Sequence, residues 1–184
     1  SYYPGSFPLS IKIVFDTNDG KLLGAQVVGK DGVDKRIDVF ATAIRHRLTV
    51  YDLTELELSY APPFGSAKDA VNIAGFTAEN ILNGSMEVVY PDELQAVREG
   101  CTVLDVRTAA EHEQGAIEDS ILIPVDSLRD RMNELDKSKP VITYCQVGLR
   151  GYFAARILMQ NGFRVKNLSG GYKTYSTFRE TSSE

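Results

Sequence analysis

The stretch Val141-Ile-Thr-Tyr-Cys-Gln-Val-Gly-Leu-Arg-Gly151 sets a cysteine, a glycine and an arginine in an order that suits sulfur chemistry. It reads as a buried strand that passes through a short loop directly into a helix. Successive backbone N–H groups at a helix N-terminus converge on one point and carry partial positive charge, so a sulfur anion placed there is favoured over the thiol. Cys145 is therefore the expected nucleophile. Gly148 lets the loop curl without a Cβ penalty. Arg150, five residues after the cysteine, opens the helix and adds a fixed charge. Gln146, Val147, Gly148, Leu149 and Gly151 complete a loop fitted to a bound anion. None of the four residues between Cys145 and Arg150 is charged. A dianion is drawn by cationic loop side chains, so a dianionic partner is expected to be used weakly.

The elements that must hold this loop follow from the pattern around it. After Asn83 and Gly84 the chain alternates short apolar strands with amphipathic helices, which points to a mainly parallel sheet. Strands are expected at 102–105, 121–123, 141–144 and 165–167, with helices at 91–99, 109–114, 126–135 and 150–160. Before Asn83 the pattern differs. Residues 10–15 and 22–28 alternate as an antiparallel pair around the turn residues Asp16-Thr-Asn-Asp-Gly20. The apolar positions Ile37, Phe40, Ala41 and Ile44 recur at helical spacing within 33–47. A further helix is expected over about 66–82, after a Tyr60-Ala-Pro-Pro-Phe64 segment whose prolines forbid regular structure. The reading is two domains, 1–85 and 86–184, the first α+β and the second α/β with a central mainly parallel sheet.

Bulk properties narrow the function classes. The 184 residues carry 20 basic and 25 acidic side chains, a formal net charge of -5, and so offer no electropositive field for nucleic acid or an anionic membrane. No apolar run approaches the roughly 18 residues of a membrane helix. The two cysteines, Cys101 and Cys145, stand in unlike contexts, which suits a reducing cytoplasm in which a free thiol can work. Cys101 reads as a small core side chain. His46 and His112 have no second ligand at metal spacing, so no metal site is expected. The chain opens Ser1-Tyr2-Tyr3-Pro4-Gly5 with no initiator methionine, and a fragment of a longer protein is expected.

The cysteine loop resembles that of the rhodanese family, in which a cysteine accepts a sulfane sulfur, becomes a persulfide and passes the sulfur to a thiophilic acceptor. Leu104-Asp-Val-Arg-Thr108 followed by Glu111 resembles the family's first signature, and Leu168-Ser-Gly-Gly-Tyr172 its closing glycine turn. The resemblance implies that Asp105 and Arg107 organise the sheet edge beneath the site. One segment departs from the family: its usual Gly-His-Ile-Pro-Gly-Ala appears as Gly115-Ala-Ile-Glu-Asp-Ser120, without the histidine and the proline. A rhodanese-fold phosphatase is the rival enzyme. Cysteine-dependent phosphatases place their arginine six residues after the cysteine, and here the spacing is five, which favours a smaller bound group. A non-catalytic module for dimerisation and sulfur-carrier docking is the other alternative.

Residues 1–85 resemble the dimerisation domain of flavin-dependent pyridine nucleotide-disulfide oxidoreductases. The residues that carry this are Leu22-Leu-Gly-Ala-Gln-Val-Val-Gly29, Thr49-Val-Tyr-Asp-Leu-Thr54, Tyr60-Ala-Pro-Pro-Phe64 and the stretch 69–74. The Tyr2-Tyr-Pro-Gly5 and Tyr60 segments are similar to those of the coenzyme A-disulfide reductase and NADH oxidase branch, where a rhodanese domain can follow. This implies a homodimer through residues 1–85 and a parent enzyme that uses FAD, NAD(P)H and coenzyme A. Tyr60 and Tyr2 match tyrosines that reach the partner subunit's reductase site; for Tyr2, plain packing at the dimer interface is an equal reading. No Gly-x-Gly-x-x-Gly fingerprint occurs, so no dinucleotide is expected to bind this piece alone.

Overall fold

The computed structural model describes residues 3–181 and divides into two units, 1–85 and 86–184. In the first, β1 (Leu9–Phe15) and β2 (Leu22–Gly29) form an antiparallel pair. Asp16 accepts N–H bonds from Asn18 at the turn, while Gly20 closes it in the left-handed region. The helix α1 (Val33–Arg45) follows, then α2 (Val50–Glu55) and α3 (Ala70–Leu82). Leu22, Phe40, Val50, Leu53 and Val71 are buried at their centre. Each such side chain removed from water contributes about 1.5–3 kcal/mol.

Three local differences from the sequence expectation have physical causes. The helix α1 stops at Arg45, because His46 caps it and Arg47 turns into the left-handed region. The helix α2 is too short to show a periodicity, yet Thr49 and Asp52 form a capping box that starts it. The helix α3 begins four residues later than expected, where Asp69 and Asn72 make a second capping box.

The second unit is a five-stranded parallel sheet in the order β3-β7-β6-β4-β5. In chain order its elements are β3 (Glu87–Val89), α4 (Leu94–Val97), β4 (Thr102–Asp105), α5 (Ala109–Glu113), β5 (Ile121–Leu122), α6 (Leu128–Arg131), β6 (Val141–Tyr144), α7 (Leu149–Gln160), β7 (Val165–Leu168) and α8 (Gly171–Thr181). Short 3-10 turns flank α6 on both sides, so the single helix expected over 126–135 is broken into three pieces. The strand β3 and the helix α8 were not expected. The first has only three residues, and the second starts on a glycine pair with no capping side chain.

Helices cover both faces of this sheet. Leu104, Val141, Ala154, Ala155 and Leu158 pack on one side; Leu94, Val103, Ile142, Leu168 and Tyr175 pack on the other. The strand β6 is buried at every position, as an interior parallel strand must be. Its C-terminal end delivers Cys145. The carboxyl ends of parallel strands are where α/β folds open to ligands.

Among the described residues no helix is long and apolar enough to cross a membrane.

Candidate active site

Cys145 follows Tyr144 at the end of β6 and is buried, with 1% of its surface exposed. Its Sγ accepts the N–H of Gly148 at 3.2 Å. Gly148, at φ 112, caps the twelve-residue helix α7 in a conformation that a side chain rarely adopts. Two of the loop's carbonyls are bonded to the start of α8. Cys145 O accepts from Tyr172 N at 2.8 Å and Gln146 O from Lys173 N at 3.1 Å. The start of α8 thus grips the outer side of the loop. Gly171 is required there: a Cβ would run into Cys145 O and Gln146 O.

A second grip comes from β7. Asn167 is buried and paired in register with Thr143. Its amide donates to Gly148 O at 3.1 Å, and Thr143 Oγ1 donates to Gly151 O at 3.1 Å. Gly151 sits against the Asn167 side chain with no room for a Cβ. Val147 and Leu149 project outward and are exposed.

Arg150 forms a two-pronged ion pair with Glu111, Nη1 to Oε2 at 2.8 Å and Nη2 to Oε1 at 2.5 Å. Glu111 also accepts from Thr108 N at 3.0 Å and Thr108 Oγ1 at 2.9 Å, which closes a capping box on α5. The Arg150 guanidinium, followed by those Thr108 contacts, holds the Glu111 carboxyl at a pKa of about 2. The Arg150 guanidinium is in turn held protonated well beyond its ordinary range by Glu111, with Cys145 acting in the same direction.

Beneath the loop lies a buried network. Asp105, at the end of β4 and in register with Tyr144, accepts from Arg107 Nη2 at 2.7 Å and from Tyr144 Oη at 2.9 Å. His112 Nδ1 lies 2.9 Å from the same carboxylate. Burial opposes ionisation of Asp105, but these partners outweigh it and hold the carboxyl below the usual range. Burial pushes the Tyr144 phenol up to about 12, so it stays a donor. Arg107 has further bonds to Gly115 O at 2.7 Å and Gln146 Oε1 at 3.3 Å, and lies 4.3 Å from the Tyr172 ring centre. A cleft of about 390 Å³ runs along Arg107, Glu111, Gln114, Gln146 and Tyr172.

The loop, Arg150, Asp105 and Arg107 are therefore gathered at one end of the sheet. Asp105 and Arg107 act on the loop through Tyr144 and Gln146 rather than by touching the sulfur. Sequence reasoning missed His112, considered there only as a metal ligand, along with Tyr144, Asn167 and the pairing of Glu111 with Arg150. Its best available clue was the Thr108 to Glu111 capping pattern. The departing segment 115–120 is built onto the same network: Ile117 N and Ser120 Oγ both bond Tyr144 Oη, at 3.2 and 2.9 Å. Asp119 takes a left-handed φ of 57 there, and Arg98 bonds Glu118 O at 2.6 Å beside it. Tyr60 lies in the other unit and is half exposed. Tyr2 falls outside the described residues.

Residues 90–177 match the family model of the rhodanese-like domain, and residues 2–71 that of the pyridine nucleotide-disulphide oxidoreductase dimerisation domain. The chain is a dimerisation domain of this kind followed by a rhodanese-like domain. A solved structure of reduced CoADR-RHD from Bacillus anthracis is 50% identical, with a TM-score of 0.95 over 98% of this chain and 32% of its own. The NAD-dependent persulfide reductase from A. fulgidus is 37% identical, with a TM-score of 0.85 over 95% of this chain and 31% of its own. Over 79 residues, 43% of this chain, the coenzyme A disulfide reductase of Staphylococcus aureus strain bovine RF122 / ET3-1 is 48% identical. The chain spans about a third of those solved structures, and that match covers 18% of the curated relative. The cysteine loop falls within the rhodanese-like match, and Tyr60 within the dimerisation-domain match.

Proposed function

We propose that this chain is a sulfurtransferase module that carries sulfane sulfur as a persulfide on Cys145. The observation that carries this reading is the Gly148 N–H bonded to Cys145 Sγ, inside a loop in which the carbonyls of Cys145, Gln146 and Gly148 are bonded to other donors. A sulfur anion at that point meets an N–H donor. In the first step the Cys145 thiolate attacks the outer sulfur of a donor persulfide, R–S–SH. An S–S bond forms, the donor's S–S bond breaks, and the electron pair leaves on the donor thiolate, RS⁻. The loop amides of 146–151 and Arg150 hold the persulfide. A second thiol then takes the outer sulfur, and Cys145 returns as thiolate. Asp105 and Arg107 position the loop from below.

The parent enzyme proposed is an FAD- and NAD(P)H-dependent coenzyme A-disulfide or coenzyme A-persulfide reductase of the cytoplasm. What supports it is the similarity to proteins named as a coenzyme A disulfide reductase and an NAD-dependent persulfide reductase. Residues 1–85 would join two subunits, and Tyr60 and Tyr2 would serve the partner's reductase site. These 184 residues contain no dinucleotide fingerprint, so the flavin and the nicotinamide would be held by other parts of that parent.

Incubation with glutathione persulfide followed by intact-mass measurement tests the module. Wild type is expected to gain one sulfur and release it to added thiol, whereas Cys145→Ser gains none. Equal loading of the two proteins would overturn the assignment.

A further inference from the structure

Arg107, which lines the cleft, and Arg150, which is bonded to the cleft residue Glu111, each already have a carboxylate of their own. Arg107 is paired with Asp105 and Arg150 with Glu111. The remaining cleft residues, Gln114, Gln146 and Tyr172, are neutral. The one guanidinium that lines the cleft, Arg107, is bound to buried Asp105, and the one carboxylate, Glu111, is bound to Arg150, so none of the cleft's lining residues is an unpaired cation. Glu111 is the critical member, because it lines the cleft and is held from two sides. Its Oε2 takes Arg150 Nη1 as well as Thr108 N and Thr108 Oγ1. Turning it aside breaks the ion pair and the helix cap together.

We infer that Glu111 sets donor specificity, by holding Arg150 in a neutral pair so that donors with a dianionic leaving group are disfavoured against thiol persulfides. This rests on the sulfur-transfer reading of Cys145. The two donors differ in what they leave behind. With thiosulfate, the Cys145 thiolate takes the outer sulfur and the electron pair of the broken S–S bond departs with sulfite, which bears two negative charges. With a thiol persulfide, the same bond change leaves a single-charged thiolate that picks up a proton to become the free thiol. Stabilising departing sulfite requires cations without partners of their own. Freeing Arg150 for that task strands the Glu111 carboxylate beside the dianion, and like charges in a partly buried cleft repel.

Two variants test this from opposite directions. Glu111→Gln removes the charge and keeps the cap, since glutamine also closes a capping box. Gln114→Lys adds a cation to the same cleft and leaves the Arg150–Glu111 pair alone. The readout is the rate constant for sulfur loading of Cys145 in the 184-residue chain, from thiosulfate and from pantetheine persulfide, whose thiol carries no charge. The thiosulfate-to-persulfide ratio is expected to rise about tenfold in Glu111→Gln and about threefold in Gln114→Lys. The change should lie in the half-saturating thiosulfate concentration. If Glu111→Gln does not fold, Gln114→Lys decides. A ratio that stays put or falls, while Cys145 still loads from pantetheine persulfide, overturns the role of Glu111. Wild-type Cys145 that takes sulfur from neither donor overturns the sulfur-transfer reading itself.

Discussion

Arg36 in the first unit and Arg107 in the second each reach a buried aspartate through Nε and Nη2. The Nη2 contacts, to Asp69 and Asp105, are both 2.7 Å. Their surroundings differ. The other contacts of Arg36 go to the carbonyls of Gly32 and Phe64, while Asp69 caps α3. All of these tie backbone to backbone, so the pair is a lock on the segment between α2 and α3. Around Arg107 the leftover bonds lead to the cysteine loop instead: Gln146 follows the cysteine, Tyr144 precedes it, and Tyr172 stacks above while its N–H holds Cys145 O. Pair geometry alone does not separate a structural lock from a site support. The destination of the spare hydrogen bonds does.

Removing each carboxylate charge tests that distinction most strongly. Asp105→Asn leaves Arg107 buried without its counter-charge and should destabilise the second unit by about 3–5 kcal/mol in urea unfolding. Sulfur loading of Cys145 should fall with it. Asp69→Asn should destabilise the first unit by about 3 kcal/mol and leave loading of Cys145 untouched. A loss of loading in Asp69→Asn would erase the contrast.

A gentler probe keeps the charge and removes the fork. Arg107→Lys retains a cation but not the bonds to Gly115 and Gln146 or the stacking on Tyr172, at a cost of about 1–2 kcal/mol. The rate of loading should drop about tenfold, more than the stability change alone would suggest, because the support of Gln146 is lost. Stopped-flow loading assays measure this directly.

The smallest effect concerns pH. Glu111 titrates at about 2 in the folded chain against an ordinary 4.5, so its ion pair stabilises the fold above pH 4.5 and ceases to do so as pH falls through about 2. The pair is a third exposed, so solvent screening limits its worth to about 1 kcal/mol. The stability gap between wild type and Glu111→Gln should be full at pH 6 and closed near pH 2, followed by denaturant unfolding at each pH.

Much of the second unit was legible because its local signals agreed. At 141–151 an apolar run, a glycine and an amphipathic stretch all called for strand, loop and helix. The helix α4 was overestimated: Pro91 starts a turn, and Gly100 leaves it with a left-handed φ, so only Leu94–Val97 are helical. At the site, Cys145 and Arg150 are visible from one loop, and Asp105 and Arg107 from one motif. The contacts of Asn167 with Gly148 and of Arg150 with Glu111 join residues 19 and 39 positions apart. No periodicity reports such pairs. They exist because β4, β6 and β7 are neighbours in a parallel sheet and their carboxyl ends meet.

A crystal structure of the chain after loading with a persulfide donor, with the sulfur positions fixed by anomalous scattering, addresses the cradle itself. One extra sulfur is expected on Cys145 Sγ, turned inward among the N–H groups of 146–151 with Arg150 alongside. An extra sulfur on Cys101 instead, or one on Cys145 pointing out to solvent away from those amides, would contradict the account.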